Sequence, residues 1–274
     1  MNTIVLKDRL SDLTATIYPD HGGLVGKLAI GEVNVLKLDE SKLGVANVLA
    51  GGIPILFPFA SKTTNDRYTL NGKEYHMPVH GFVKDTPFAV EEVTENSAVL
   101  WMESSNSLMA SCYPFSFVFK VKYTVKNSTL NIEATLINNS GEDMPHSLGW
   151  HPYYATSNKE ALEFYQSYQR YYDYINCCYG EHNKPINLTE ELNNVYCDPV
   201  EQSFSLKNKA DGYSITQRFD PEYKTLVVFT LLPDAVCLEP WIGIPDSINR
   251  GEYLSIVRAN SARTYSLMLE VNKL

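Results

Sequence analysis

Two long alternating segments constrain the fold of this chain most. From Phe115 to Val125, and again from Thr129 to Asn138, apolar and polar residues alternate with a period of two around the turn Lys126-Asn127-Ser128. Successive side chains of a strand point to opposite faces, so Leu130, Ile132, Ala134 and Leu136 share one face. A paired hairpin of that length with one apolar face needs a second layer to cover it. That requirement favours a large antiparallel β-sandwich over a small barrel.

The rest of the chain repeats the pattern in shorter pieces. Thr3 to Lys7, Leu13 to Tyr18, Lys27 to Ile30 and Val33 to Lys37 alternate at the start, punctuated at Ser11-Asp12, Pro19 and Gly31. Ala89 to Val93 and Ala98 to Glu103 follow, then Tyr213 to Phe219, Thr225 to Leu231, Val236 to Glu239, Leu254 to Ala259 and Thr264 to Val271. Turn residues every 8 to 12 positions between such runs predict an all-β chain. Asn71-Gly72, inside Arg67 to His76, is the strongest short hairpin signal, because a type I′ turn needs positive φ at both central residues. Residues 157–200 are harder to read: Lys159 to Tyr165 and Leu188 to Val195 have brief helical character, and Tyr165, Tyr168, Tyr171, Tyr172 and Tyr174 crowd one interval. No composition break marks a second domain, so residues 1–274 read as one.

Charge narrows the partners. The 274 residues carry a formal net charge of −9. Nucleic acid and anionic membrane surfaces need clustered Lys and Arg, so neither is an expected partner. The N-terminal MNTIVLKDRL has no apolar run of the kind a signal peptide needs, and no window approaches a membrane span. Five cysteines, Cys112, Cys177, Cys178, Cys197 and Cys237, are an odd number without CxxC spacing. A disulfide framework and a cysteine zinc site are both disfavoured, the thiols read as small buried hydrophobes, and a reducing cytoplasm is the expected home.

Three stretches place a titratable group in a rigid, apolar setting: His80 in Pro78 to Phe88, His151 in Gly149-Trp150-His151-Pro152-Tyr153-Tyr154, and Glu239 in Cys237-Leu238-Glu239-Pro240-Trp241. Imidazoles titrate near neutral pH, and a carboxyl shielded by apolar groups is pushed up toward it, so the set suits proton transfer in one cleft. Glu239 is expected to emerge at a strand end, with Pro240 stopping the ladder and Trp241 supplying apolar surface. His146 lies five residues before His151, and that odd spacing puts the two on opposite strand faces, which disfavours a shared metal ion. The Gly- and Pro-rich run Gly51 to Lys62 lacks two ladder donors, at Pro54 and Pro58, and is expected to follow an edge or line a cavity. Lys62 ends it, either as a charged donor to a substrate hydroxyl or as a solvated loop lysine. Arg67, at the base of its hairpin, either folds over the site or stays exposed. His21-Gly22-Gly23 reads as a turn.

Taken together, PDHGGLVGKL, GGIPILFP, RYTLNGKEYHMPVHGF, SLGWHPYY and CLEPWIGIPD, in that order, resemble the aldose 1-epimerase (galactose mutarotase) superfamily, and most of all its LacX and hexose mutarotase-like branch. The resemblance covers nearly the whole chain. It implies a galactose mutarotase-like β-sandwich with a shallow sugar cleft, no cofactor, and a monomer or homodimer. It further implies that Glu239 is the general base taking the anomeric proton and His151 the general acid protonating the ring oxygen, on opposite sides of the sugar. His80 would hydrogen-bond the ring oxygen or a neighbouring hydroxyl. Relatives often carry Arg where this chain has Ser61-Lys62, and Ala-Arg after HGF where it has Val83-Lys84. Lys62, Arg67 and Lys84 could gather into a phosphate-binding cluster, and Asp198, Asp211 and Asp246 are alternatives for a substrate-orienting Asp. The activity implied is interconversion of the α and β anomers of a free sugar; the alternative is a carbohydrate-binding or sensing protein on the same fold.

Overall fold

The long hairpin forms where the alternation puts it. Phe117–Lys126 and Thr129–Asn138 pair residue for residue, from Phe117 opposite Asn138 to Lys126 opposite Thr129. Asn127 and Ser128 between them have φ of 52° and 59°, the doubly positive conformation of a tight hairpin turn. Asn71 and Gly72 do the same, at 50° and 76°, between Arg67–Leu70 and Lys73–His76. The structure is a computed structural model that describes residues 2–46, 48–104, 107–166, 168–173, 178–181 and 184–274.

The hairpin lies in an antiparallel sheet of eight strands, ordered Leu162–Tyr165, Ser203–Asn208, Tyr213–Phe219, Ser261–Lys273, Thr129–Asn138, Phe117–Lys126, Ser97–Glu103, Ala89–Val93. A second large sheet runs Cys178–Glu181, Tyr168–Asp173, Asn193–Pro199, Thr225–Phe229, Ala235–Trp241, Gly149–Trp150, Ile55–Leu56, with Tyr153–Ala155 also on Ala235–Trp241. A four-stranded sheet from the N-terminal residues, Ile4–Asp8 to Val33–Asn34, packs into the same core. Every second residue of the hairpin, Phe117, Phe119, Val121 and Tyr123 among them, is buried and joins Trp150, Leu226 and Leu238 of the second large sheet, and Phe57 just after its edge strand, in one apolar cluster. This is the sandwich that the alternation requires. Trp150 is wholly buried and donates its indole N–H to Tyr223 Oη at 2.7 Å, which satisfies the one polar atom it takes into the core.

Three local expectations are corrected. Leu188 to Val195 forms no helix; its end is the start of the strand Asn193–Pro199, and Lys159–Ala161 is only one 3₁₀ turn ahead of a strand. Pairing with neighbouring strands overrides weak helical propensity there. Cys178 is exposed, whereas Cys197 and Cys237 are buried. Cys177 and Tyr174 lie outside the described residues. Two short helices, Ser107–Cys112 and Ser247–Arg250, carry no clear sequence period. Among the described residues no helix is long and apolar enough to cross a membrane.

Candidate functional site

The site lies on the face of the second large sheet turned away from the core. Its central strand, Ala235–Trp241, is buried along its whole length, because Val236 and Leu238 face the sandwich interior while Glu239 and Trp241 face a second apolar cluster with Leu56, Val195 and Val227. Pro240 does not stop this strand. It pairs in register with Leu226, and Glu239 sits inside the ladder opposite Val227.

On the other side of that strand, Gly149 pairs with Trp241 and Tyr153 with Cys237. Extending the same register across the three positions between them sets His151 directly opposite Glu239. Directly opposed residues of antiparallel strands bring their side chains together. Accordingly His151 Nε2 lies 3.3 Å from Glu239 Oε2, with only 10% and 2% of the two side chains exposed. The His151 backbone N–H donates to the Pro54 carbonyl at 3.1 Å, and its ring stacks on Tyr153 at 4.5 Å between centroids and 9° between planes.

His80 approaches from the loop after the Asn71-Gly72 hairpin, with φ of 64°. Its neighbour Gly81 passes so close to the Gly51–Lys62 run that an added Cβ would lie 2.0 Å from the Phe57 carbonyl oxygen, so only glycine fits. The crossing is fixed by His80 N–H to Ser61 O at 2.7 Å and by Ser61 N–H to His80 Nδ1 at 3.0 Å. An imidazole that accepts at Nδ1 carries its proton on Nε2 when neutral. Burial, with the nearby Lys84 ammonium adding to it, pushes His80 down to about 4, so near neutral pH it is an uncharged donor. Its ring meets His151 and Trp241 edge-on, at 5.7 Å and 6.0 Å.

These groups line one hollow of about 280 Å³, near the lower end for small-molecule sites. Lys62, His80, His151, Glu239 and Trp241 all reach it, so five of the six residues singled out from the sequence come together. Arg67 does not. Its guanidinium pairs with Glu74 on the other strand of its own hairpin and stays more than half exposed. The three cations considered as a cluster go to separate places, since Lys84 is buried against Asp85 and lines a different hollow beside His21 and Gly51. His146 faces the core, bonded to Tyr265 Oη at 2.8 Å, which agrees with the opposite-face reading. Of the three aspartates, Asp198 holds Arg170 and Tyr253, and Asp211 caps Ser157. Asp246 accepts from Thr64 at the edge of a neighbouring hollow.

Sequence reasoning missed Ser61, Val79, Asn193, Val195, Val227, Phe229 and Pro245, which complete the lining. Val195, Val227 and Glu239 occupy one row across three strands, paired Val195 with Val227 and Val227 with Glu239. Period-two alternation does mark Val227 and Phe229 as sharing a face. Nothing local says which face meets the site.

Burial acts oppositely on the central pair. It raises Glu239 well above the usual carboxylate range, with the Trp241 indole opposing weakly, and holds His151 well below the ordinary imidazole range, helped by His80. Both effects favour the state in which the two groups hold a single proton between them, resting on Glu239 while His151 is neutral. His151 Nδ1 is buried without a protein hydrogen-bond partner, and Glu239 Oε2 and Trp241 Nε1 lack one of good geometry, a concentration of poorly satisfied polar atoms expected where a polar ligand belongs. The expectation of an acid and a base on opposite sides of a sugar ring is corrected by the 3.3 Å contact, which leaves no room for a ring between them. Side by side, they can instead address two oxygens bonded to one carbon.

A family model described as Aldose 1-epimerase matches residues 8–264. The plasmid-encoded protein LacX of Lactococcus lactis subsp. lactis is 26% identical over 235 residues, which cover 74% of this chain and 78% of LacX. The crystal structure of the Slr1438 protein from Synechocystis sp. PCC 6803 superposes with a TM-score of 0.92 at 28% identity, covering 100% of this chain and 96% of that one. A galactose mutarotase related enzyme from Lactobacillus acidophilus gives a TM-score of 0.82 at 19% identity, over 99% of this chain and 98% of its own, a likeness of fold.

Proposed function

The chain belongs to the aldose 1-epimerase family, and from that premise we propose that it interconverts the α and β anomers of a free hexose or related sugar without a cofactor. From the tautomer in which the pair's one proton has passed to His151, Glu239 takes the proton of the anomeric hydroxyl while His151 protonates the ring oxygen. The C1–O5 bond breaks to give the open aldehyde, rotation about C1–C2 turns the other carbonyl face inward, and reclosure returns both protons. The anomeric hydroxyl and the ring oxygen are both bonded to C1, so two adjacent groups reach them from one edge of the sugar. His80 donates through Nε2–H to an oxygen beside them, and Trp241 supplies apolar surface to a ring face. Lys62 gives a charged donor at the rim.

The observation that carries this reading is the buried contact between His151 and Glu239 at 3.3 Å, in a hollow of one sugar's scale. A pair holding one proton is restored at the end of each turnover, and no step needs an electron acceptor or a metal's charge. The same contact weighs against a binding or sensing role, since recognition of a sugar has no need of two coupled proton carriers. Glu239→Gln tests it directly: it keeps shape and removes the base. Polarimetry of freshly dissolved hexoses is expected to show a loss of about 10²-fold or more. Activity within about tenfold of native would refute the assignment.

A further inference from the structure

The strand that carries Glu239 brings a third side chain up to the proton-transfer pair. Val236 and Leu238 face the sandwich interior, so Cys237 shares the opposite face with Glu239, two residues on. Cys237 pairs with Tyr153 on one side and Phe229 on the other, in the row next to that of His151, Glu239 and Val227. Its thiol is free and wholly buried. One ligand atom from each of His151, Cys237 and Glu239 lies within 4.8 Å of the other two. We propose that these three side chains form a binding site for a zinc ion, and that zinc held there is a reversible inhibitor of the reaction proposed above rather than its cofactor. The site stands on its own geometry, whereas the inhibition rests on the mutarotase reading.

The spacing suits the metal. In a tetrahedral zinc site with Zn–N and Zn–O of about 2.0–2.2 Å, the nitrogen and oxygen stand about 3.4 Å apart, and a sulfur about 2.3 Å from the ion stands about 3.6 Å from each. His151 Nε2 and Glu239 Oε2 are already 3.3 Å apart. The thiol then has to close in by no more than about 1.2 Å, within reach of side-chain rotation. Cys237 stands behind the pair, outside the lining of the hollow, so an ion coming from the hollow meets His151 and Glu239 first. Three protein ligands leave the fourth tetrahedral place to water. Two further atoms point to a ligand independently of the thiol. His151 Nδ1 has no protein hydrogen-bond partner and Glu239 Oε2 none of good geometry, although only 10% and 2% of these side chains are exposed.

Imidazole and thiolate select zinc over magnesium and calcium, which take sets of oxygens. Charge balances as well. The resting pair holds one proton and the thiol a second; both pass to the solvent buffer as the ion binds, so one Zn²⁺ replaces two H⁺ and the buried site gains no net charge. With His151 and Glu239 both bonded to the ion, neither can give or take the proton that ring opening needs, and turnover stops until the ion leaves. The sequence hides this arrangement, because a Cys-x-Glu pair on one strand, completed by a His from the next, has none of the local spacing of a cysteine zinc motif.

The test uses the full chain, with zinc and cobalt(II) as the metals. Micromolar zinc is expected to inhibit polarimetric mutarotation, excess EDTA to restore it, and magnesium or calcium in millimolar excess to leave it unchanged. Cobalt(II) added without sugar is expected to give a thiolate-to-cobalt charge-transfer band. Cys237→Ala should abolish that band and raise the zinc inhibition constant at least about 100-fold, since losing a residue that merely supports a ligand already costs about 10- to 100-fold in affinity. Glu239→Gln should weaken cobalt binding about tenfold or more, read from the band with no turnover required. Cys178→Ala, which removes an exposed thiol, should alter neither band nor inhibition. Each inhibition constant is read against the same variant's metal-free rate, so a change in the fraction of folded protein does not move it. The inference is overturned if millimolar zinc leaves native turnover unchanged, if the native protein gives no cobalt band, if the band persists in Cys237→Ala, if Glu239→Gln binds cobalt as the native protein does, or if magnesium inhibits as zinc does. A band that depends on Cys237, in a protein that turns over no sugar, would sink the mutarotase reading while upholding the metal site.

Discussion

Gly149→Ala perturbs the site without touching any group that moves a proton. Gly149 pairs with Trp241, and a Cβ added there would lie 2.5 Å from Trp241 Cδ1, 3.0 Å from Trp241 Cγ and 2.9 Å from Ala60 Cβ. Carbon atoms rest at about 3.5–4.0 Å, so the indole must retreat by roughly 1 Å. It cannot do so freely, because Trp241 is 4% exposed and packs in the cluster with Leu56, Ala60 and Val227. Overpacking of this kind costs about 1–3 kcal/mol, and at about 2–4 °C per kcal/mol for a chain of this size the melting temperature should fall by several degrees. Trp241 also forms the wall beside His80 and Glu239, and a displacement of about 1 Å in a positioning surface lowers turnover by up to about 10²-fold. Thermal unfolding and polarimetric kcat/KM, measured on the same preparation, check both halves. Native melting together with native turnover would show that Trp241 is not held as described, and the argument from the Gly149 register would fail.

Two further outcomes follow from burial of the titrating groups. His146, wholly buried, is pushed down to about 3 from an unfolded value near 6.5, so below pH 6.5 the unfolded chain binds a proton that the folded one refuses. Stability is therefore lost as pH falls through that window, by about 2 kcal/mol at pH 5 from this residue. Urea unfolding of native protein and His146→Gln should show the variant losing less between pH 7 and pH 5 by about that amount; parallel losses would refute it. For turnover, the His151–Glu239 pair gains a second proton only below the depressed imidazole value and loses its only one above the raised carboxyl value, so kcat/KM should stay nearly flat across neutral pH. A narrow bell with both limbs between pH 6 and 8 would contradict the shared-proton state.

The sequence by itself determined the strand-rich class and the two hairpin turns, and it singled out His151 and Glu239 as candidate proton carriers. Each of these rests on interactions within about ten residues: a period of two fixes which side chains share a face, and Asn-Gly or Asn-Ser supplies positive φ. Tertiary structure alone decided that His151 stands opposite Glu239, since that depends on the register between strands far apart in the chain, and a slip of one residue would turn either side chain to the core. The same long-range pairing kept Pro240 inside a ladder and brought Asn193 and Phe229 into the wall, whereas Arg67 is held away from it by Glu74 of its own hairpin. Periodicity says that a face exists, and only the packing of one sheet against another says what that face meets.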